Sequence, residues 1–332
     1  MSAARTGDSG RSAAASSECP TWPPSRTGRC YSFWQRWSAG STHICQVVGD
    51  KMMRTSALFM FSVVALTSVQ ASADTFESDG VDIYYTVRGS GEPVVLIHGF
   101  LATAEMFDAS GIMDALAEEY EVIALDNRGH GASGKPRDAA AYGEQMVTDV
   151  INLLDHLGIE KANILGYSMG GMVTQALAIR HPERVIKAVI GGAGGSTGSD
   201  IAWVDALIAS LDSGNGIGPL MVALTASGQP LPTSEQIAAA NEQVFATNDP
   251  QVVAAVARGF PELLDVTEAE LRENEIPLLY LVGGLDRMKE GVDSIRTIAG
   301  NAQFKTVPDA DHFTAFANPL FLQYAEEFLK AD

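Results

Sequence analysis

From about residue 80 onward, apolar positions along this chain fall into two alternating patterns. Short, nearly unbroken apolar runs occupy 94–97, 122–125, 164–165, 185–190, 278–282 and, more weakly, 304–307. The run at 185–190 is interrupted by Lys187. Runs this short and continuous suit strands buried on both faces of a parallel sheet. Between them, apolar residues recur at helical spacing, as in Met146, Val147, Val150, Leu154 and Leu157, and again in Met172, Val173, Ala176 and Leu177. Asn318-Pro319 supplies an N-cap and a first helical position ahead of Phe321, Tyr324, Ala325, Phe328 and Leu329. Ile83-Tyr84-Tyr85 with Gly89-Ser90-Gly91 reads as an antiparallel strand and turn leading into Val94. The alternation predicts an α/β fold with a mostly parallel central sheet flanked by helices. It lapses between about 197 and 277, where helical patterns are broken by Gly and Pro at 213–216, 228–230 and 259–261. That stretch is expected to be a helical insertion between two strands.

Before residue 74 the pattern differs. Residues 1–50 are rich in Ser, Ala, Arg and Trp without sustained periodicity, and all three Cys (Cys19, Cys30, Cys45) lie there. Lys51-Met52-Met53-Arg54, the apolar run 57–66 and Ala71-Ser72-Ala73 then give the three parts of a secretory signal peptide. The expected organisation is a non-native or disordered extension over 1–51, a signal peptide over 52–73 starting at Met52 or Met53, and a folded domain over 74–332. A retained membrane anchor is the rival reading, against which the apolar run is short. Export to the periplasm or the medium follows as an expectation.

Composition narrows the classes. With 332 residues, 46% of them apolar, the chain is long enough to bury a large core. Residues 74–332 carry 15 basic and 38 acidic side chains and no Cys. A domain this acidic repels phosphate backbones and anionic lipid, so neither a nucleic-acid partner nor stable membrane insertion is expected after cleavage. Without Cys it relies on its core rather than on disulfides, and it has no thiol nucleophile or thiolate metal site.

The chemistry concentrates at Gly166-Tyr167-Ser168-Met169-Gly170. It follows the predicted strand at 164–165 and opens the helix that contains Met172. A G-x-S-x-G turn between strand and helix is a nucleophile elbow: Gly166 and Gly170 permit the sharp turn, and the helix N-terminus offers N–H donors to an anionic intermediate. Of the six His, only His181 and His312 follow the elbow, and His181 sits before Pro182 at the far end of the elbow helix.

On these motifs residues 74–332 resemble the α/β-hydrolase family, in its branch with a helical cap, here at about 197–277. The resemblance implies the chain order Ser…Asp…His: Ser168 as nucleophile, Asp286 in Gly283-Gly284-Leu285-Asp286 as acid, and His312 in Asp311-His312-Phe313 as base. Asp309 and Asp311 compete with Asp286, although they lie very close to His312 in sequence. Asp311 also departs from the glycine common before the family's histidine. The resemblance further implies an oxyanion hole from the N–H groups of Met169 and of Phe100, in His98-Gly99-Phe100-Leu101. Asp126-Asn127-Arg128-Gly129-His130-Gly131-Ala132-Ser133 matches a family motif and reads as a structural loop stapled by Asp126 and Arg128.

His98, Leu101, Tyr167, Trp203, Met221 and Phe313 are the residues expected at a substrate pocket, with packing of cap against core as the bland reading of the apolar cap residues. The implied activity is cleavage of a carboxylic ester, thioester or lactone in a small acyl substrate. Carbon–carbon bond hydrolysis, cofactor-free perhydrolysis and a non-catalytic binding role remain as alternatives. No dinucleotide fingerprint, P-loop or H-E-x-x-H motif occurs, so no cofactor or metal is expected. The expected state is a monomer or weak homodimer.

Overall fold

The computed structural model describes residues 72–194 and 202–331. These fall within one compact unit. The extension and nearly all of the signal-peptide segment lie outside the described residues.

The chain opens with β1 (Ser72–Ser78) and β2 (Val81–Gly89), an antiparallel hairpin. Its turn is Asp79-Gly80, with φ of 48° and 77°, the left-handed pair that a two-residue hairpin of matching twist requires. Ser72 and Ala73 pair with Val87 and Thr86, so β1 includes the residues on both sides of the expected cleavage point after Ala73. Next come β3 (Glu92–Ile97), the short helices α1 (Glu105–Ser110) and α2 (Ile112–Leu116), β4 (Tyr120–Leu125), α3 (Glu144–Leu157), β5 (Ala162–Tyr167), α4 (Met169–Arg180) and β6 (Val185–Gly191). Six helices follow: α5 (Ala202–Asp212), α6 (Gly218–Ala223), α7 (Ser234–Phe245), α8 (Pro250–Arg258), α9 (Phe260–Leu264) and α10 (Glu268–Glu273). The chain ends with β7 (Leu278–Gly283), α11 (Lys289–Ser294), β8 (Ala302–Val307), α12 (His312–Phe316) and α13 (Pro319–Lys330).

The eight strands form one sheet in the order β1-β2-β4-β3-β5-β6-β7-β8. β2 runs antiparallel to both neighbours, and every pair from β4 to β8 is parallel. This is the expected mostly parallel sheet with flanking helices. Its central strands are buried on both faces, as their unbroken apolar runs require: Val94–Ile97 of β3 and all of β5 and β7 have essentially no exposed residue.

The interruption at Lys187 acquires a physical reason, as does a carboxylate on a buried helix face. Lys187 breaks the apolar run of β6 because its ammonium reaches the end of α13, donating to the Leu329 carbonyl at 2.9 Å and to that of Ala331. It satisfies carbonyls that a helix end leaves without partners. Asp149 lies on the buried face of α3, where it holds Arg128 through paired contacts of 2.6 and 2.5 Å. Arg128 also donates to the carbonyls of Ala141 and Ser78.

Candidate active site

The elbow begins where β5 ends. Ser168 has φ of 57°, a left-handed conformation that a non-glycine residue rarely adopts and that here projects its side chain from the sheet's C-terminal edge. The flanking glycines make this turn sterically feasible. A Cβ on Gly166 would lie 2.0 Å from the Gly170 carbonyl oxygen, and one on Gly170 would lie 1.9 Å from that of Ile97. Both positions are closed to any side chain.

His312 opens α12, and its Nε2 lies 3.0 Å from Ser168 Oγ. Its Nδ1 lies 2.8 Å from Asp286 Oδ2. Asp286 sits in the turn after β7, its other oxygen accepting the Met288 N–H at 2.9 Å. Both partners of this second contact are buried. Three side chains from the C-terminal ends of β5, β7 and β8 thus form one continuous line.

The competing carboxylates are occupied elsewhere. Asp311 caps α12, accepting from Phe313 N–H at 3.0 Å and Thr314 N–H at 2.8 Å. Its φ is −87°, so the absence of glycine before His312 imposes no strain, and the left-handed residue in this loop is Asp309 instead. His181 lies beside Glu144 and Glu183 at the end of α4.

The loop after β3 faces Ser168. A Cβ on Gly99 would stand 3.2 Å from Ser168 Cβ, so the glycine lets this backbone pass close to the elbow. The Gly99 carbonyl is held by His98 Nδ1 at 2.8 Å and by the Ala102 N–H at 3.2 Å. In a trans peptide the C=O and the following N–H point in opposite directions, so the Phe100 N–H is turned away from these donors. Among the described residues, neither Phe100 N–H nor Met169 N–H has a hydrogen-bond acceptor. Met169 is the first residue of α4, where an unpaired donor is inherent to the helix end.

His98 is not a pocket residue. It has no exposed surface, and both ring nitrogens are engaged: Asn127 N–H donates to Nε2 at 2.9 Å, leaving Nδ1 as the protonated nitrogen that donates to Gly99. Burial depresses its pKa to about 4, against the opposing effect of the Gly99 bond. Asn127 also donates from its side chain to the His98 carbonyl, and the preceding Asp126 accepts from Ala104 N–H at 2.7 Å and Ala132 N–H at 2.8 Å. The loop 98–104 is therefore clamped at both ends by two consecutive residues. His130 stands edge-on to both His98 and Phe100, and burial followed by the nearby His98 depresses its pKa to about 3.

Tyr167 also lies behind the site rather than in it. Its ring packs against Phe316 and Phe321, its hydroxyl donates to the His312 carbonyl, and burial pushes its pKa well above the usual phenol value. The other expected pocket residues divide. Phe313 is half-buried and edge-on to His312 at 5.6 Å. Leu101 is half-buried in the clamped loop, with φ of 60°. Trp203 is half-buried on α5, and Met221 is buried in α6.

Phe260, not singled out from the sequence, joins the insertion to the site. Its ring meets Phe100 edge-on at 5.1 Å and Trp203 at 6.1 Å. The Gly-Phe-Pro context around it signals a break in helix and gives no hint of this contact. Among the described residues no group of three or more His, Cys, Asp or Glu could hold a metal ion, and no helix is long and apolar enough to cross a membrane.

A family model described as the alpha/beta hydrolase fold matches residues 92–213. The fold of the chain is that of the α/β hydrolases. Its similarities run to the esterase- and lactonase-like branch. It is 38% identical over 121 residues to a 2-hydroxymuconate semialdehyde hydrolase of Pseudomonas sp. strain CF600, covering 35% of this chain and 43% of that one. It is 35% identical over 130 residues to 3-oxoadipate enol-lactonase 2 of Acinetobacter baylyi, covering 39% and 48% respectively. The chain thus spans less than half the length of these curated relatives. The crystal structure of an enol-lactonase from Burkholderia xenovorans LB400 superposes with a TM-score of 0.63 at 23% identity, covering 78% of this chain and all of that one, which is a likeness of fold.

Proposed function

We propose that this protein is a serine hydrolase that cleaves a carboxylic ester, thioester or lactone through an acyl-enzyme. One observation carries the reading: the unbroken line from Asp286 through His312 to Ser168, with contacts of 2.8 and 3.0 Å. His312 Nε2 takes the hydroxyl proton as Ser168 Oγ bonds to the substrate carbonyl carbon. Asp286 holds the Nδ1–H tautomer and stabilises the imidazolium. The Phe100 and Met169 N–H groups receive the developing oxyanion, each such donor being worth about 3 kcal/mol in the transition state. His312 then protonates the leaving oxygen or sulfur, and a water activated by the same ring releases the acid and restores Ser168.

Labelling with a fluorophosphonate and peptide mapping tests this directly. The expected adduct is on Ser168, and Ser168→Ala should lower kcat for a short-chain nitrophenyl ester by several orders of magnitude, about 10⁴-fold or more. An adduct on any other residue rejects the reading. Multiple turnovers separate an enzyme from a ligand-binding homologue, which would release at most one equivalent of product.

Carbon–carbon bond hydrolysis is a second reading, supported by the similarity to the semialdehyde hydrolase. Turnover of a vinylogous diketone acid with no action on simple esters would favour it. Export before action is part of the proposal, supported by the three-part segment ahead of β1. Intact-mass measurement of the protein from its native host should find residues 1–73 missing, and a species that retains residues 1–50 would reject the start at Met52 or Met53.

A further inference from the structure

Resting on the reading of Ser168 as nucleophile, the surroundings of that serine define which acyl groups it takes. Aromatic rings stand beside the site residues. Phe100 in the loop facing the elbow meets Phe260 of α9, which in turn meets Trp203 of α5, and Phe313 stands on the His312 side. Such rings favour apolar contact and offer no counter-charge to an anion.

The charges around them are one-sided. Residues 197–277 carry twelve carboxylates and two cations, Arg258 and Arg272. Both cations are tied to carboxylates of the insertion itself, Asp212 and Glu268. The cations that the core places next to the insertion are engaged too: Arg137 with Asp249, Arg180 with Glu144, and Arg128 in burial with Asp149. Among the described residues, Lys161 and Arg287 are the only Lys or Arg side chains with no ion pair, hydrogen bond or ring contact. Lys161 precedes β5, at the opposite end of that strand from Ser168. Arg287 is exposed in the turn after Asp286, in a crevice lined also by Asp286 itself, by Lys289, Glu290 and Asp293, and by residues 226–229 of the insertion; Lys289 there is tied to Asp293.

We infer that this site selects esters or lactones whose acyl part is uncharged and apolar, and rejects acyl groups that end in a carboxylate. An anionic acyl chain held at Ser168 beside these rings loses its hydration without gaining a partner, and meets the field of an insertion with a net charge of −10. A neutral chain of the same shape loses little and buries apolar surface.

The test compares three p-nitrophenyl esters of matched length: the butyrate, the succinate monoester with its free carboxylate, and the same succinate capped as its methyl ester. Ser168→Ala supplies the background rate for each. At low salt, kcat/KM for the two neutral esters is expected to exceed that for the anionic one by about 100-fold, and the gap to narrow as salt screens the field. Trp203→Arg, which places a cation among the rings, should raise kcat/KM for the succinate monoester while lowering it for the butyrate. Wild-type turnover of the monoester within about threefold of the butyrate overturns the inference, as does monoester turnover that collapses in Arg287→Ala. If no neutral ester is hydrolysed above the Ser168→Ala background, the hydrolase reading itself fails and this inference falls with it.

Discussion

At the residue scale, the strongest constraint lies one step behind the reacting atoms. His98 sits on the Gly99 carbonyl and so sets the direction of the Phe100 N–H. The role needs a donor at the Nδ1 position, which an asparagine side chain can imitate and a glutamine, imitating Nε2, cannot. His98→Asn should therefore keep kcat within about tenfold of wild type, and His98→Gln should lose about 100-fold in kcat with little change in KM, the signature of an interaction made only in the transition state. Equal losses in the two variants would reduce His98 to packing. Ser168 and Gly166 are legible in sequence because the elbow's sterics leave few residue types at each position, and His312 because the implied chain order leaves few histidines after the elbow. His98 and Tyr167 are not, since a histidine beside a glycine reads the same whether it faces a cleft or a carbonyl.

Among elements, the buried Arg128–Asp149 pair joins the loop after β4 to α3, and through the Ser78 carbonyl to the end of β1. Asp149→Ala leaves a guanidinium buried without its counter-charge and should cost about 3–5 kcal/mol. Asp249→Ala breaks the exposed contact with Arg137 and removes the N-cap of α8, so a much smaller loss is expected. Urea unfolding of both variants checks the contrast, and equal midpoints would mean that Asp149 is not ionised in the folded protein. A carboxylate at helical spacing between Met146 and Leu153 is an anomaly that asks for a cation. The sequence offers fifteen of them after residue 73, and nothing local selects Arg128.

For the molecule as a whole, two of the buried histidines, His98 and His130, make stability depend on pH. Folding lowers the pKa of His98 from 6.5 to about 4 and that of His130 to about 3. Between those values and 6.5 the unfolded chain binds protons that the native chain refuses, so stability is full above pH 6.5 and is lost as pH falls. His98 alone should account for about 2 kcal/mol by pH 5. His130 adds in the same direction, each ring opposing protonation of the other. Urea midpoints should fall between pH 7 and pH 5, and a flat profile would mean that one or both rings are solvated or charged in the folded state.

Periodicity, glycine sterics and motif order were enough to determine the α/β architecture, the helical stretch before β7 and the identity of Ser168, because each rests on short-range geometry that recurs wherever the same local pattern is written. Tertiary structure alone decided which carboxylate faces His312, that His98 and Tyr167 support the site from behind, that Lys187 closes a distant helix, and that Phe260 meets the loop opposite the elbow. These depend on contacts between residues far apart in sequence, and any of several chemically equivalent side chains would satisfy the linear pattern until packing selects one.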